Sequence, residues 1–176
     1  MRRRATLAAL CATLCCGSLA AQPAAAPEHA LKAVLLFKLP LFVYRAQPPG
    51  GDSVVLCVLG HSGLEDALQE LAATPIDGRR VELRTLQSGA GAQGCELLFI
   101  GRSESRRLAD LLDAVKAATA VTVSDIEGFA AAGGMVELGV RGEGKGLAII
   151  INRRAARAHG IEFNAQLLRL ARTVGD

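Results

Sequence analysis

Few side chains in this sequence have the type and spacing that chemistry requires. His61 lies in the turn Gly60–Gly63, between an apolar run and a helical pattern. Such a turn either cradles a phosphate or simply joins a strand to a helix. The sequence has neither of the glycine motifs that bind phosphates, so we favour the structural interpretation. The three histidines do not stand at metal-ligand spacing to a cysteine, a histidine or a carboxylate. We therefore expect no metal site and no cofactor.

Two acids follow the apolar run Val121–Ser124. Asp125 and Glu127 flank a turn, where aspartate is a common capping residue. The pair Ser124 and Asp125 lacks the glycine-flanked elbow in which a hydrolase holds its serine nucleophile. Since no acid and base pair stands out elsewhere, the sequence predicts no catalytic residue and a protein that is not an enzyme.

Cys57 and Cys95 are the only cysteines outside the N-terminal segment, and each lies in an apolar run closed by glycine. Residues Met1–Ala21 resemble an export signal, with three arginines, an apolar stretch and then small residues. An even number of cysteines in an oxidising compartment favours a disulfide over two buried free thiols. The bond requires Cα atoms within about 7 Å of each other.

The bulk composition narrows the class of protein. The chain has 176 residues, of which 51% are hydrophobic and 3% aromatic, enough for one domain with an aliphatic core. Its net charge is +3, and Arg2, Arg3 and Arg4 supply that excess, because 20 − 3 leaves 17 basic residues against 17 acidic ones. A neutral mature chain is a poor binder of nucleic acid, so we expect no nucleic-acid partner.

Hydrophobic patterns predict the order of the elements. Val54–Leu59 is apolar throughout and Cys95–Ile100 is apolar except for Glu96, as central strands covered on both faces are, and each precedes a helical pattern. The other predicted strands are 81–86 with one exposed face, 121–125, and an antiparallel pair at 135–141 and 147–151. The prediction is an α/β fold: a mixed, mainly parallel sheet with helices on both faces, in a single domain. Its ranges are 1–21 for the signal peptide, 22–29 for an Ala/Pro spacer and 30–176 for the domain.

Several local expectations follow from the same patterns. A helix over His29–Phe42 breaks near Pro40 and carries Lys32 and Lys38 away from its apolar side. Residues 44–52 form a loop, a helix covers 103–118, and two helices, 153–159 and 164–174, finish the chain. We expect the apolar N-terminal helix to form a homodimer interface through its side chains. The candidates are Phe37, Leu41 and Phe42.

A partner-binding surface is expected near the loop Asp125–Gly134 and the basic C-terminal region. Phe129 follows a strand between Gly128 and a run of alanines, where a large apolar side chain is either an anchor for a partner or a plug of the core. Arginines nearby would steer an acidic partner. The candidate binding residues are Phe129, Asp125, Glu127, Met135, Arg153 and Arg157.

From about Ala30 to Val174 the chain resembles the YfiR family of bacterial periplasmic proteins. The resemblance rests on blocks that occur in one order and cover almost the whole mature chain. They are Leu56–Gly60, Gly94–Cys95, Leu98–Gly101, Val121–Asp125, Gly128–Ala130, Gly133–Met135, Ile151–Asn152, Ala155–Arg157, Gly160 and Leu167–Ala171. The chain departs from the family at Tyr44 and Arg45, near which members usually have a Trp-Pro pair.

The resemblance implies an α/β domain that is exported to the periplasm and acts by binding. Its implied partner is the periplasmic domain of an inner-membrane diguanylate cyclase, whose repression lowers cyclic di-GMP and biofilm formation. It further implies a homodimer, and a disulfide between Cys57 and Cys95. No membrane span is expected after removal of the signal. The alternative function is a periplasmic small-ligand-binding or sensor module, with its pocket at the strand ends around Gly60, Ser124 and Gly128.

Overall fold

The computed structural model describes residues 28–46, 50–140 and 146–175. Its helices are α1 (Glu28–Lys38), α2 (Glu65–Leu71), α3 (Leu108–Ala114), α4 (Arg153–Ala158) and α5 (Ala165–Leu170). Its strands are β1 (Val43–Arg45), β2 (Ser53–Leu59), β3 (Arg80–Leu86), β4 (Leu97–Ile100), β5 (Val121–Ser124), β6 (Val136–Val140), β7 (Leu147–Asn152), β8 (Ile161–Phe163) and β9 (Arg172–Val174). The predicted signal peptide, most of the spacer, Pro48, Pro49 and the 141–145 loop lie outside the described residues.

Seven strands form one sheet in the order β3-β2-β4-β5-β6-β7-β9. The first five are mutually parallel, β7 runs antiparallel to β6, and β9 is parallel to β7. Parallel neighbours are joined through crossover segments, as their geometry requires. The mixed, mainly parallel sheet and the antiparallel pair near its end confirm the prediction.

Side chains of the central strands alternate between two cores. Leu56 and Val58 of β2 pack with α1, α2, α4 and α5, whereas Cys57 and Leu59 pack with α3 on the other face. The period of two sends successive side chains to opposite faces, so a strand apolar at every position needs cover on both. Helices on both faces confirm this part of the predicted fold.

Three predictions about local structure are wrong. Tyr44 and Arg45, predicted as loop, belong to the strand Val43–Arg45, which pairs with β8. The last predicted helix stops at Leu170, because Arg172–Val174 pairs with β7 and contains two β-branched residues that suit a strand. The predicted helix at 103–118 is a 3₁₀ turn over Arg102–Arg107 followed by the shorter α3.

The N-terminal helix has the predicted break but a different buried side. Helix α1 ends at Lys38, and a 3₁₀ turn with Pro40 follows over Leu39–Phe42. Phe37 is buried against Val54 and Ile76, so it belongs to the core and not to a free interface. In the part of the chain that the structure describes, α1 and the other helices are too short or too polar to cross a membrane.

Arg45 fastens the small β1–β8 sheet to the main sheet. Its guanidinium donates to the carbonyl oxygen of Glu96 at 2.7 Å and to that of Thr119. Burial lowers the pKa of Arg45, with the charge of Glu96 acting in the opposite direction. These bonds connect β1 to the amino ends of β4 and β5, where sequence patterns predicted only a loop.

Cys57 and Cys95 form a disulfide with a Cα–Cα distance of 5.8 Å, in the core that α3 covers. The cross-link spans 38 residues of sequence and therefore restricts the unfolded chain. Replacing both cysteines by alanine should lower the free energy of unfolding by about 3–4 kcal/mol, as measured by urea denaturation. Mass spectrometry of the wild-type protein from the periplasm should find no free thiol at either position. Two free thiols there would contradict the prediction.

Candidate functional site

The carboxyl edge of the parallel strands is where an open α/β sheet ordinarily binds ligands. The crevice lies between β2 and β4. The chain passes from β2 to β3 on one side of this point and from β4 to β5 on the other. Here the two following turns touch: a Cβ atom on Gly101 would lie 2.7 Å from the carbonyl oxygen of His61. Ser103 Oγ accepts a hydrogen bond from His61 N at 2.9 Å, and Ser103 N donates to His61 O at 3.2 Å. The crevice is therefore closed by backbone, which supports the structural interpretation of the Gly60–Gly63 turn.

Ser124 is likewise used within the structure. Its hydroxyl donates to Ile100 O at 2.6 Å and accepts from Ile126 N at 3.0 Å, with the side chain fully buried. These bonds tie β5 to β4 and shape the turn after β5. Of the three positions around which a ligand pocket was predicted, Gly60 lines a cavity of about 180 Å³ beside β3, Ser124 is buried, and Gly128 lines a larger cleft.

A buried charge cluster lies just beyond Ser124. Lys32 of α1 is 0% exposed, and its Nζ lies 2.5 Å from Glu28 Oε1 and 3.4 Å from Asp125 Oδ2. Arg102 Nε lies 2.9 Å from the same Asp125 oxygen. A buried ammonium needs such partners, because desolvating a charge is costly. The hydrogen bond from Lys32 lowers the pKa of Glu28.

The burial of Lys32 overturns its predicted position on the exposed side of α1. Lys32 stands four residues before Leu36 and seven before Leu39, so it shares their face of the helix, and both leucines are buried. That spacing was the signal in the sequence, but its partner Asp125 is 93 residues away. Lys38, by contrast, is exposed as predicted.

A second buried carboxylate holds the loop that follows β5. Glu137 of β6 accepts hydrogen bonds from Gly128 N at 3.2 Å and from Ala130 N at 3.0 Å. Asn152 Nδ2 donates to Ala130 O at 2.8 Å. Three hydrogen bonds thus fix two residues of the same loop on β6 and β7, and Glu137 is a site residue that the sequence prediction missed.

Phe129 lies in the interior, at 0% exposure. It belongs to the core beneath α3, and a Cβ atom on Gly134 would lie 2.0 Å from its ring. The structure therefore places Phe129 as the plug and not as a surface anchor. Met135 and Asp125 are also buried, at 2% and 4% exposure, so in this structure none of the three offers a contact surface.

The remaining candidate binding residues fall into two places. Glu127 is exposed and lines a cleft with Asp125, whereas Arg153 and Arg157 line a small groove beside β8 and α5. The structure does not bring Glu127 and the two arginines into one cavity. Their role in binding a partner stays a prediction.

The cleft beside Glu127 has a volume of about 550 Å³. It combines charged side chains from the turns and strands with small and aliphatic residues of β6, β7 and β9. Its lining is Arg102, Asp125, Glu127, Gly128, Ala131, Glu137, Gly139, Val140, Ala148, Ile150, Arg172 and Val174. Among the described residues, histidine, cysteine and carboxylate side chains form no cluster of three that could hold a metal ion.

Fold and site together define an α/β domain with a doubly wound strand order, turns that touch at the ligand crevice, and buried Ser124 and Glu137 side chains that hydrogen-bond to the backbone. The sequence matches the YfiR/HmsC-like family over residues 29–172, and the chain belongs to this family. The family is periplasmic, regulatory and not catalytic, and it acts in cyclic di-GMP signalling through a membrane signalling protein. No curated protein matches the chain in sequence.

Two solved structures are similar in fold. One is a conserved domain protein from Vibrio cholerae O1 biovar El Tor, with 16% identity and a TM-score of 0.56. The other is an ABC domain in complex with L-Trp from Streptococcus pneumonia, with 11% identity and a TM-score of 0.55. Each match covers 84% of this chain, which spans about 60% of each of those chains. At these identities the likeness shows the fold alone.

The effect on stability of removing one member of the buried charge cluster should depend on which member is removed. Asp125→Ala leaves Lys32 buried with a single acidic partner, and should lower the free energy of unfolding by about 3–5 kcal/mol. Lys32→Met removes the buried ammonium while Asp125 keeps Arg102, so stability should stay near that of the wild type or rise. Urea denaturation followed by circular dichroism measures both, with Lys38→Met on the exposed side of α1 as the control.

The pH dependence provides a further readout of the same cluster. Because the folded-state pKa of Glu28 is lowered, its contribution is present above the ordinary value of 4.5 and is lost as pH falls through the folded-state pKa. Lys32→Met should reduce this loss of stability at acid pH.

Equal destabilisation by Lys32→Met and Asp125→Ala would contradict the predicted difference between the two variants.

Proposed function

We propose that this protein is a periplasmic regulator that binds and represses an inner-membrane diguanylate cyclase and catalyses no reaction itself. The observation that carries the proposal is the family match, which spans residues 29–172 and so includes nearly every described element. The signal-like segment Met1–Ala21 supports export to the periplasm. Repression would lower cyclic di-GMP and biofilm formation.

The geometry supports a binding role over a catalytic one. The polar atoms of Ser124 and Glu137 hydrogen-bond to backbone groups, and Lys32 forms ion pairs with two acidic side chains. At the crevice where a doubly wound sheet binds its ligand, the two turns touch at Gly101 and His61, and the cavity that Gly60 lines has only about 180 Å³. This favours recognition on the outer surface over a deep ligand site.

Repression requires a difference in affinity between two states of the cyclase. A regulator shifts that equilibrium only by as much as it binds the inactive state more tightly than the active one. A tenfold preference corresponds to about 1.4 kcal/mol. A few exposed contacts suffice for such a difference, so repression needs no covalent step.

The proposal is tested by expressing the full chain beside an inner-membrane diguanylate cyclase that has a periplasmic domain. Cellular cyclic di-GMP, measured by mass spectrometry, should fall at least threefold when the full chain is present. A variant without residues 2–21 is the matched control, and it should leave cyclic di-GMP unchanged because it stays in the cytoplasm. Unchanged cyclic di-GMP, with the full chain detected in the periplasm, would reject the function.

We also propose that the protein forms a homodimer through the exposed apolar side chains at its N-terminal end. Leu31 and Val34 of α1 are 42% and 45% exposed, Leu41 is 45% exposed and Tyr44 of β1 is 64% exposed. These side chains replace Phe37, which is buried, as the candidates for the interface. Exposed apolar groups this close in sequence are a common mark of an interface.

Light scattering at tens of micromolar should give the mass of a dimer for the wild type. Val34→Glu places a charge among these exposed apolar side chains. It should shift the protein to monomer, because a charge that is buried and unpaired in an interface is costly. Gln69→Glu, on the exposed surface of α2, adds the same charge elsewhere and should remain dimeric. A wild type that is monomeric at this concentration would exclude the dimer.

A further inference from the structure

At strands β6, β7 and β9, one face of the sheet packs in the large core and the other lines a cleft. On one face, Val136, Leu138 and Ile151 pack in the large core with α1, α4 and α5. On the other face, β6, β7 and β9 line the cleft of about 550 Å³, and none of its lining residues comes from α3. Gly139 and Ala148 are register partners at its floor, so small side chains leave a trough across the strands.

The register places charges along this trough in a defined order. Glu137 on β6 pairs with Ile150 on β7, and Ile150 pairs with Arg172 on β9. Neighbouring strands lie about 4.8 Å apart, so the backbones at Glu137 and Arg172 are separated by roughly 10 Å. The trough is thus acidic at the β5–β6 end, aliphatic in the middle and basic at the β9 edge.

The acidic end holds a carboxylate oxygen that lacks a donor. Asp125 Oδ2 is paired with Lys32 and Arg102, whereas the buried Asp125 Oδ1 accepts no hydrogen bond from any residue in the described parts of the chain. Because that oxygen is buried, it offers no contact to a partner, and the exposed Glu127 is the carboxylate at this end that a partner can reach. Arg102, whose side chain is 58% exposed, lies at the opening, and Glu127 stands exposed beside it.

We propose that this trough is the surface that receives the repressed partner, an inference that rests on the proposed function. The occupant is a segment of the partner with a lysine or arginine at one end, an aliphatic residue in the middle and an acidic residue at the other end. The cation would face Glu127, the aliphatic side chain would lie over Gly139 and Ala148, and the acid would face Arg172. This order of charges is complementary to the trough and does not suit an anionic lipid surface or a nucleic acid.

The test uses the full exported chain and a full-length cyclase whose activity the wild-type chain represses. Glu127→Lys reverses the charge at the acidic end, and Gly139→Leu fills the trough at a position where an added Cβ atom meets only Ala148, at 3.7 Å or more. Each should weaken co-purification of the two proteins from detergent by at least tenfold and relieve repression. Glu70→Lys, an equal charge reversal on the exposed surface of α2, is the matched control and should change neither readout.

A charge exchange provides the deciding measurement if Gly139→Leu fails to fold. Replacing the partner's basic residue by glutamate should abolish binding to the wild-type chain and restore binding to Glu127→Lys. Binding within twofold of the wild type for Glu127→Lys and for a folded Gly139→Leu would overturn the inference and leave the proposed function intact. Equal weakening by Glu70→Lys would also overturn it, since net charge would then be the cause. A wild-type chain that neither binds nor represses any such cyclase would instead reject the proposed function.

Discussion

The structure depends on one constraint: its central strands are apolar on both faces and must be covered on both. Leu56 and Val58 of β2 point into one core, Cys57 and Leu59 into the other, and β4 follows the same alternation. Burying these side chains supplies most of the driving force for folding. Helices α1, α2, α4 and α5 therefore cover one face, and α3 and the buried Phe129 cover the other. The disulfide joins β2 to the segment just before β4 in the core where α3 supplies the helical cover.

The cover of the large core also brings charge into the interior. Helix α1 packs in that core and places Lys32 against Asp125, the first residue after β5, whose side chain is 1% exposed. Lys32, which is fully buried, and Arg102, which is largely exposed, both pair with that carboxylate. Such a cluster is weak evidence for stability, because well-packed apolar residues can often replace it at little cost. Its value is positional: it fixes α1 relative to the turn that follows β5.

Sequence patterns identified the parts of this fold that local physics determines. The apolar runs of β2 and β4, the alternation of β3 and the hairpin of β6 and β7 follow from periodicity alone, and the cysteine pairing followed from the compartment. The misses all depend on distant partners. Strands β1 and β9 exist because β8 and β7 offer edges to them, Lys32 is buried because Asp125 lies 93 residues away, and Phe37 and Phe129 point inward because of the cores they meet. Among the predicted binding residues, Glu127, Arg153 and Arg157 remain at the surface, and nothing local separated them from the buried ones.

The closed crevice changes where such a fold can interact. In doubly wound sheets the gap between diverging strand ends is the natural ligand site, and glycines there ordinarily make room for a ligand. Here Gly60 and Gly101 instead let the two turns approach each other, since a side chain on either would collide with the facing turn. The proposed recognition surface therefore lies on β6, β7 and β9, where the sheet becomes antiparallel and the cleft opens on one face. A protein that regulates by contact has no need of a deep pocket, and an open sheet face with fixed charges at both ends is suited to reading a segment of another protein.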